Sequence, residues 1–255
     1  MIDETELRAV ADAFGVADVQ VLRDHLISHI LGAISAELGD RVTFFGGTAL
    51  ARTLLPAGRL SEDIDLIAAH QRSTAAQLLE RILPRRLARS HGTITWDPGP
   101  TATRGSRAAL LRTDDGLTVK IQLLSEVGYP PWPSEIVELH QRYSDAPAAR
   151  LRTLTAEAFV AAKTAAWVDR AAARDLYDLY LLALGGHITP AAGALFARFG
   201  PLGSTVPEWV FRNAPAEVEW RTQLAAQVRL RIGPEQALDV VRTAWGALAP
   251  SSDDV

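Results

Sequence analysis

No cysteine occurs among the 255 residues, which excludes disulfides, thiolate metal sites and cysteine nucleophiles together. Lysine is nearly absent as well. Of 26 basic residues 24 are arginine, and only Lys120 and Lys163 are lysine. Each lysine therefore needs a reason, because a compact ammonium on a flexible stem is not equivalent to a planar guanidinium. No apolar run reaches membrane-spanning length, and the N-terminus "MIDETELRAV" is acidic from its third residue, unlike a signal peptide. The expectation is a cytoplasmic protein without a membrane partner. A net charge of −4 lacks the excess of positive charge that marks a general nucleic-acid binder, so contact with a polyanion must come from a local patch.

What is present is the composition of a folded protein. A hydrophobic content of 48% with 22% charge provides for a sizeable core and argues against global disorder. Residues 4–39 read as two helices, the second ending at Gly39. "RVTFFGG" is a β-branched and aromatic strand that stops at a glycine pair. "TALARTLLP" follows as a short helix, "EDIDLIA" as a strand, and "STAAQLLERILPRRLARSH" as a crossover helix. "GTITWDP", "RAALLRT" and "LTVKIQLLSE" are further strands, the last two joined by a hairpin turn at "DDG". The proline-dense "YPPWPSE" (129–135) cannot continue a central strand. Beyond about residue 150 the chain reads as helical to its end, with "SSDDV" as a frayed tail. The expected organisation is an α+β domain over residues 1–135, built on a mixed sheet, and an all-helical domain over 136–255.

Chemistry concentrates in "FFGGTALARTLLPAGRLSEDIDLIA" (44–68). A glycine pair between strand and helix lets backbone N–H groups approach phosphate oxygens, and Thr48 adds a hydroxyl; taken alone, the same residues also describe a plain turn. Asp63 and Asp65, two apart on a strand, project from one face. Two like charges this close repel unless a divalent cation lies between them or arginines such as Arg52 and Arg59 pair with them. Together, the turn and the carboxylates form a unit in which one end can hold a triphosphate and the other the metal that bridges it to an attacking hydroxyl.

With "GGTALART…GRLSEDIDL" and, downstream, "KTAAWVDRAAARDLYDLYLL" (163–182), the sequence resembles the AbiEii/AbiGii nucleotidyltransferase toxins, the MenT-like branch of the DNA polymerase β-type superfamily. The resemblance implies a polymerase β-like core and a Mg²⁺- or Mn²⁺-dependent transfer of a nucleotide from an NTP to RNA, most naturally the 3′ end of tRNA. It also implies a cognate antitoxin. By the same resemblance the catalytic residues are Asp63, Asp65, Lys163 and Asp178, with Asp63 and Asp65 as metal ligands. Gly46, Gly47, Thr48, Arg52, Ser61 and Lys163 would meet the nucleotide. Two alternatives remain: a protein or small-molecule hydroxyl as acceptor, or a catalytically weak nucleotide- or partner-binding module.

On one straight helix Lys163 and Asp178 would lie about 22 Å apart. "RAAAR" (170–174) must therefore contain a bend if they share a site. One position departs from the family: where related toxins carry a third carboxylate in the "KI" strand, this sequence has Gln122, and a neutral amide cannot accept a proton. Seven arginines against one acid between residues 81 and 112 offer a footprint for RNA backbone, with Arg85, Arg86, Arg104 and Arg107 as its expected contacts; a solvated arginine-rich face reads equally well. His25 and His29 have the spacing of a helical zinc chelate, but the sequence shows no third ligand, and they read as surface or packing. Ser61, two residues before Asp63, would place a phosphoryl group beside the metal site if modified.

Overall fold

The computed structural model describes residues 2–248; the tail read as frayed lies outside them. Nine α-helices and seven strands are present among the described residues. In chain order they are α1 (Glu4–Phe14), α2 (Asp18–Glu37), β1 (Val42–Phe45), α3 (Gly46–Arg52), β2 (Asp63–Ala68), α4 (Arg72–His91), β3 (Ile94–Trp96), β4 (Ala109–Thr113), β5 (Thr118–Ser125), β6 (Ser134–Glu138), β7 (Arg150–Leu154), α5 (Ala156–Arg170), α6 (Ala173–Leu184), α7 (Pro190–Phe199), α8 (Glu217–Leu224) and α9 (Pro234–Gly246). None of the described helices is long and apolar enough to cross a membrane.

The strands form one mixed sheet in the order β3-β4-β5-β2-β1-β7-β6. β2 is antiparallel to β1 and parallel to β5, and β7 is parallel to β1. The β4–β5 hairpin turns at 114–116, as the "DDG" signal predicts. Alternation along the central strands separates two faces. Phe44, Ile64, Leu66, Val119, Ile121 and Leu123 are at most 1% exposed, and α2 and α4 pack on this side of the sheet. Each such side chain contributes roughly 1.5–3 kcal/mol by leaving water. The opposite face carries half-exposed Phe45, Asp63, Asp65 and Gln122 and exposed Lys120.

The chain divides into two compact units, one of residues 1–129 and 134–153, the other of 130–133 and 154–255. This differs from a division at residue 135. β6 and β7 belong to the sheet-bearing unit, so the chain is not yet helical at residue 150. β6 follows directly after the prolines and lies at the sheet edge, where a missing N–H donor is tolerated. The second unit is helical. Thr155 caps α5 through the Ala158 N–H, and Thr189 caps α7 with Pro190 at its first position. Its core is aromatic: Trp167 stacks on Phe211, which stacks on Trp245, and Trp220 meets Tyr177 edge-on.

Candidate functional site

In the first unit, the glycine turn and the two aspartates meet at the end of the β1–β2 pair. Phe45 is in register with Asp65, so Gly46 follows β1 directly beside that carboxylate. Gly46 has φ 78°, and a Cβ placed there would lie 2.2 Å from Asp65 Oδ2. Two independent constraints, left-handed backbone and steric contact, therefore require glycine. A Cβ on Gly47 would lie 2.6 Å from an Arg59 guanidinium nitrogen and 3.4 Å from Ser61 Oγ. The Thr48 hydroxyl donates to the Asp63 carbonyl and ties α3 to β2. Thr48 and Ser61 are both buried.

On the other side of β2, β5 runs parallel with Asp63 opposite Lys120 and Asp65 opposite Gln122. Gln122 thus occupies the strand position where a third carboxylate would stand beside the first two. Its amide nitrogen donates to the Ser106 carbonyl at 2.6 Å, which holds the exposed loop of Arg104 and Arg107 beside Asp65's neighbour. The expected arginine patch divides. Arg104 and Arg107 are at this end of the sheet, whereas Arg85 and Arg86 lie on the outer side of α4, a helix packed on the opposite, apolar face. Arg86 is also paired with Glu37.

Arg52 does not face the turn. It is 1% exposed, bonds Asp24 of α2 at 2.8 Å and the Asp24 carbonyl at 3.1 Å, and donates to the His140 carbonyl at 3.3 Å. Tyr143 donates to the other Asp24 oxygen at 3.0 Å. Burial brings the Arg52 guanidinium down to about 10, against the pull of Asp24, so it stays charged at neutral pH. Arg52 is a structural ion-pair partner, and Arg59 is the guanidinium beside Gly47. The sequence signal for Arg59 is its place within "GRLSEDID"; both guanidinia are buried, and surroundings separate them, Asp24 for Arg52 and the Gly47 turn for Arg59. Tyr129, which the proline-dense connector concealed, packs on Phe45 with ring centroids 5.3 Å apart. Burial, reinforced by the Asp65 charge, pushes its phenol above its ordinary range and keeps it neutral.

In the second unit the chain bends where "RAAAR" requires it. α5 ends at Arg170, Ala171 adopts φ 45°, and α6 starts at Ala173. The bend brings Lys163 Nζ to 2.6 Å from Asp178 and 3.1 Å from Asp175. Arg170 grips Asp175 through two bonds of 2.7 and 3.0 Å. Burial works against the Asp175 carboxylate, but Lys163 and Arg170 outweigh it and hold it at about 2.

The histidines are not isolated. His25 Nε2 lies 2.9 Å and His29 Nε2 3.5 Å from the same Asp145 oxygen, and His25 Nδ1 lies 3.1 Å from His91 Nε2. The third group of ligating type, absent from the sequence reading, is Asp145, in the β6–β7 connection and 116 residues beyond His29. The pair is therefore not on the surface: both rings are buried, packed against each other and His91, and His25 is also hydrogen-bonded.

A profile of the family described as "Nucleotidyl transferase AbiEii toxin, Type IV TA system" matches residues 29–245. Among solved structures, the chain is similar to MenT4, a nucleotidyltransferase toxin from Mycobacterium tuberculosis H37Rv, with TM-score 0.71 and 22% identity over 97% of this chain and 91% of that one. It is also similar to a putative nucleotidyltransferase from H. pylori, with TM-score 0.56 and 14% identity over 91% and 96%. At these identities the likeness speaks for the fold. No curated protein matches the sequence.

Proposed function

This chain belongs to the AbiEii nucleotidyl transferase toxin family of type IV toxin–antitoxin systems, and from that premise we propose that it transfers a nucleotide from an NTP to the 3′ end of tRNA. The observation that carries the donor side is the contact between Gly46 and Asp65, in which a Cβ would strike the carboxylate. A turn with no side chain opens directly onto a pair of half-exposed acids. That donor set, two carboxylates on one strand face, suits a hard divalent ion. Asp63 and Asp65 would hold Mg²⁺ or Mn²⁺, which when bound neutralises phosphate charge and makes the attacking hydroxyl more acidic.

The chain's own residues supply the rest. Backbone at Gly46 and Gly47 can approach the triphosphate, and the Arg59 guanidinium beside Gly47 offsets its charge. Phe45 and Tyr129 form an apolar wall next to Asp65. The Arg104–Arg107 loop meets the acceptor's backbone. The ribose hydroxyl oxygen attacks the α-phosphorus in line, the bond from that phosphorus to the β-phosphate oxygen breaks, and pyrophosphate leaves. Gln122 cannot take the hydroxyl proton, so in this reading the proton passes to Asp65, in register beside it on the same sheet face. Lys163 and Asp178 remain in this reading as residues the reaction requires. A cognate antitoxin is the expected partner.

The test is incubation of the protein with labelled NTPs, Mg²⁺ and total tRNA. Label at the tRNA 3′ end, absent with Asp65→Ala, supports the reading. Label in protein or a small molecule instead would move the acceptor away from RNA and leave the donor side standing.

A further inference from the structure

Three imidazoles and one carboxylate gather inside the first unit, on residues that the nucleotidyl transfer described above does not use. His25 and His29, four apart on α2, present their rings from one helix face. Both Nε2 atoms converge on Asp145 Oδ1, at 2.9 and 3.5 Å. His91, the last residue of α4, closes the group, with its ring centroid 5.0 Å from that of His25 and 4.9 Å from that of His29. His25 is 3% and His29 9% exposed.

The hydrogen bonds dictate where the lone pairs are. The Ser90 hydroxyl donates to the Leu87 carbonyl at 3.2 Å, so its oxygen accepts from His91 Nδ1–H at 2.9 Å. His91 Nε2 is then an acceptor, and it takes the Nδ1–H of His25 at 3.1 Å. In neutral His25 this leaves Nε2 as a bare lone pair, aimed at a carboxylate oxygen 2.9 Å away. Two acceptors facing each other repel. A protonated His25 would resolve that contact but not the next one. His29 Nε2 is buried and has no hydrogen-bond partner among the described residues. A cation between the three atoms satisfies all of them.

We propose that His25 Nε2, His29 Nε2 and Asp145 Oδ1 bind a zinc-class divalent ion, with His91 orienting His25 from behind. The dimensions fit. Bonds of 2.0–2.1 Å in a tetrahedral site place neighbouring ligand atoms about 3.3–3.4 Å apart, and the two observed separations lie on either side of that value. All three candidate ligand atoms fall within 4.8 Å of one another. Two nitrogens and one oxygen select Zn²⁺ and its d-block neighbours over Mg²⁺, which favours oxygen alone. The Asp145 side chain is 32% exposed, so the group borders solvent on that side. The ion would fasten α2 to the β6–β7 connection and, through His91, to the end of α4. This site shares no residue with Asp63 and Asp65.

The test uses tag-free full-length protein stripped with a chelator and titrated with Co²⁺, whose visible bands report four-coordination. The chain has no cysteine, so thiolate bands cannot confuse the spectrum. The expected result is a saturable spectrum at one equivalent, displaced by Zn²⁺, with a rise in Tm. His29→Gln with Asp145→Asn should abolish the spectrum while the metal-free protein keeps the wild-type circular dichroism. His91→Gln should weaken binding about 10- to 100-fold. Asp63→Asn with Asp65→Asn should leave it unchanged. Wild-type binding no tighter than that of the His29/Asp145 variant would overturn the proposal, and so would loss of the spectrum in the Asp63/Asp65 variant.

Discussion

Asp63 and Asp65 on β2, and Asp175 and Asp178 on α6, are two closely spaced pairs of acids placed in opposite surroundings. The helical pair is buried at 1% and 3% side-chain exposure, with the Lys163 ammonium between its members. The strand pair is half-exposed, with a glycine turn against one member and an amide, Gln122, level with it on β5. The helical pair has its cation built in. The strand pair is only partly buried, on the polar face of the sheet beside the glycine turn. Two carboxylates near each other are thus not a functional signature by themselves; what neutralises them and what may approach them decides.

That contrast can be broken from either side. The largest expected effect is on activity: Asp65→Ala should lower nucleotidyl transfer at least ~10²–10³-fold with little change in Tm, because its side chain supports no core. Lys163→Met should lower stability as well as activity. Two buried carboxylates lose their common partner, which costs about 3–5 kcal/mol in chemical denaturation. Acid unfolding sharpens the same point. Asp175 is held at about 2, below the ordinary 3.8, so its contribution is present above about pH 4 and fades as pH falls toward 2. In Lys163→Met the corresponding loss should begin at higher pH. A Lys163 variant with unaltered stability would contradict the comparison.

Gly46→Ala should have an intermediate effect, from left-handed backbone strain on the order of 1–3 kcal/mol and displacement of the Asp65 carboxylate. Both Tm and activity should fall. The smallest effect belongs to Arg104→Ala with Arg107→Ala: KM for tRNA should rise several-fold at unchanged kcat, and the logarithmic salt dependence of binding should flatten by roughly one for each phosphate no longer neutralised. The same double change at Arg85 and Arg86, on the far side of the sheet, should do neither.

Much of the fold was legible because local signals agreed with the final structure. The β1–turn–α3–β2 unit, the "DDG" hairpin and the bend at 170–174 follow from glycine placement, strand alternation and a helix too long to let Lys163 meet Asp178. β6 and β7 were not legible: they are five residues each, β6 is an exposed edge strand behind prolines, and β7 runs straight into the cap of α5. At the site, the motif residues could be named from spacing, but their partners could not. Arg52 and Arg59 look alike in sequence, and only the buried Asp24 assigns one to the core. Asp145 and His91 are far along the chain from His25, and no periodicity connects them.

The central claim is that the Gly46 turn and the Asp63–Asp65 face are one donor site. A double-mutant cycle on Mn²⁺-dependent binding of a non-hydrolysable NTP, with Gly46→Ala and Asp65→Asn, tests it directly. The account predicts that the double variant binds no more weakly than the worse single variant, because each change already disrupts the same contact. Losses that simply add would show two independent sites and contradict it.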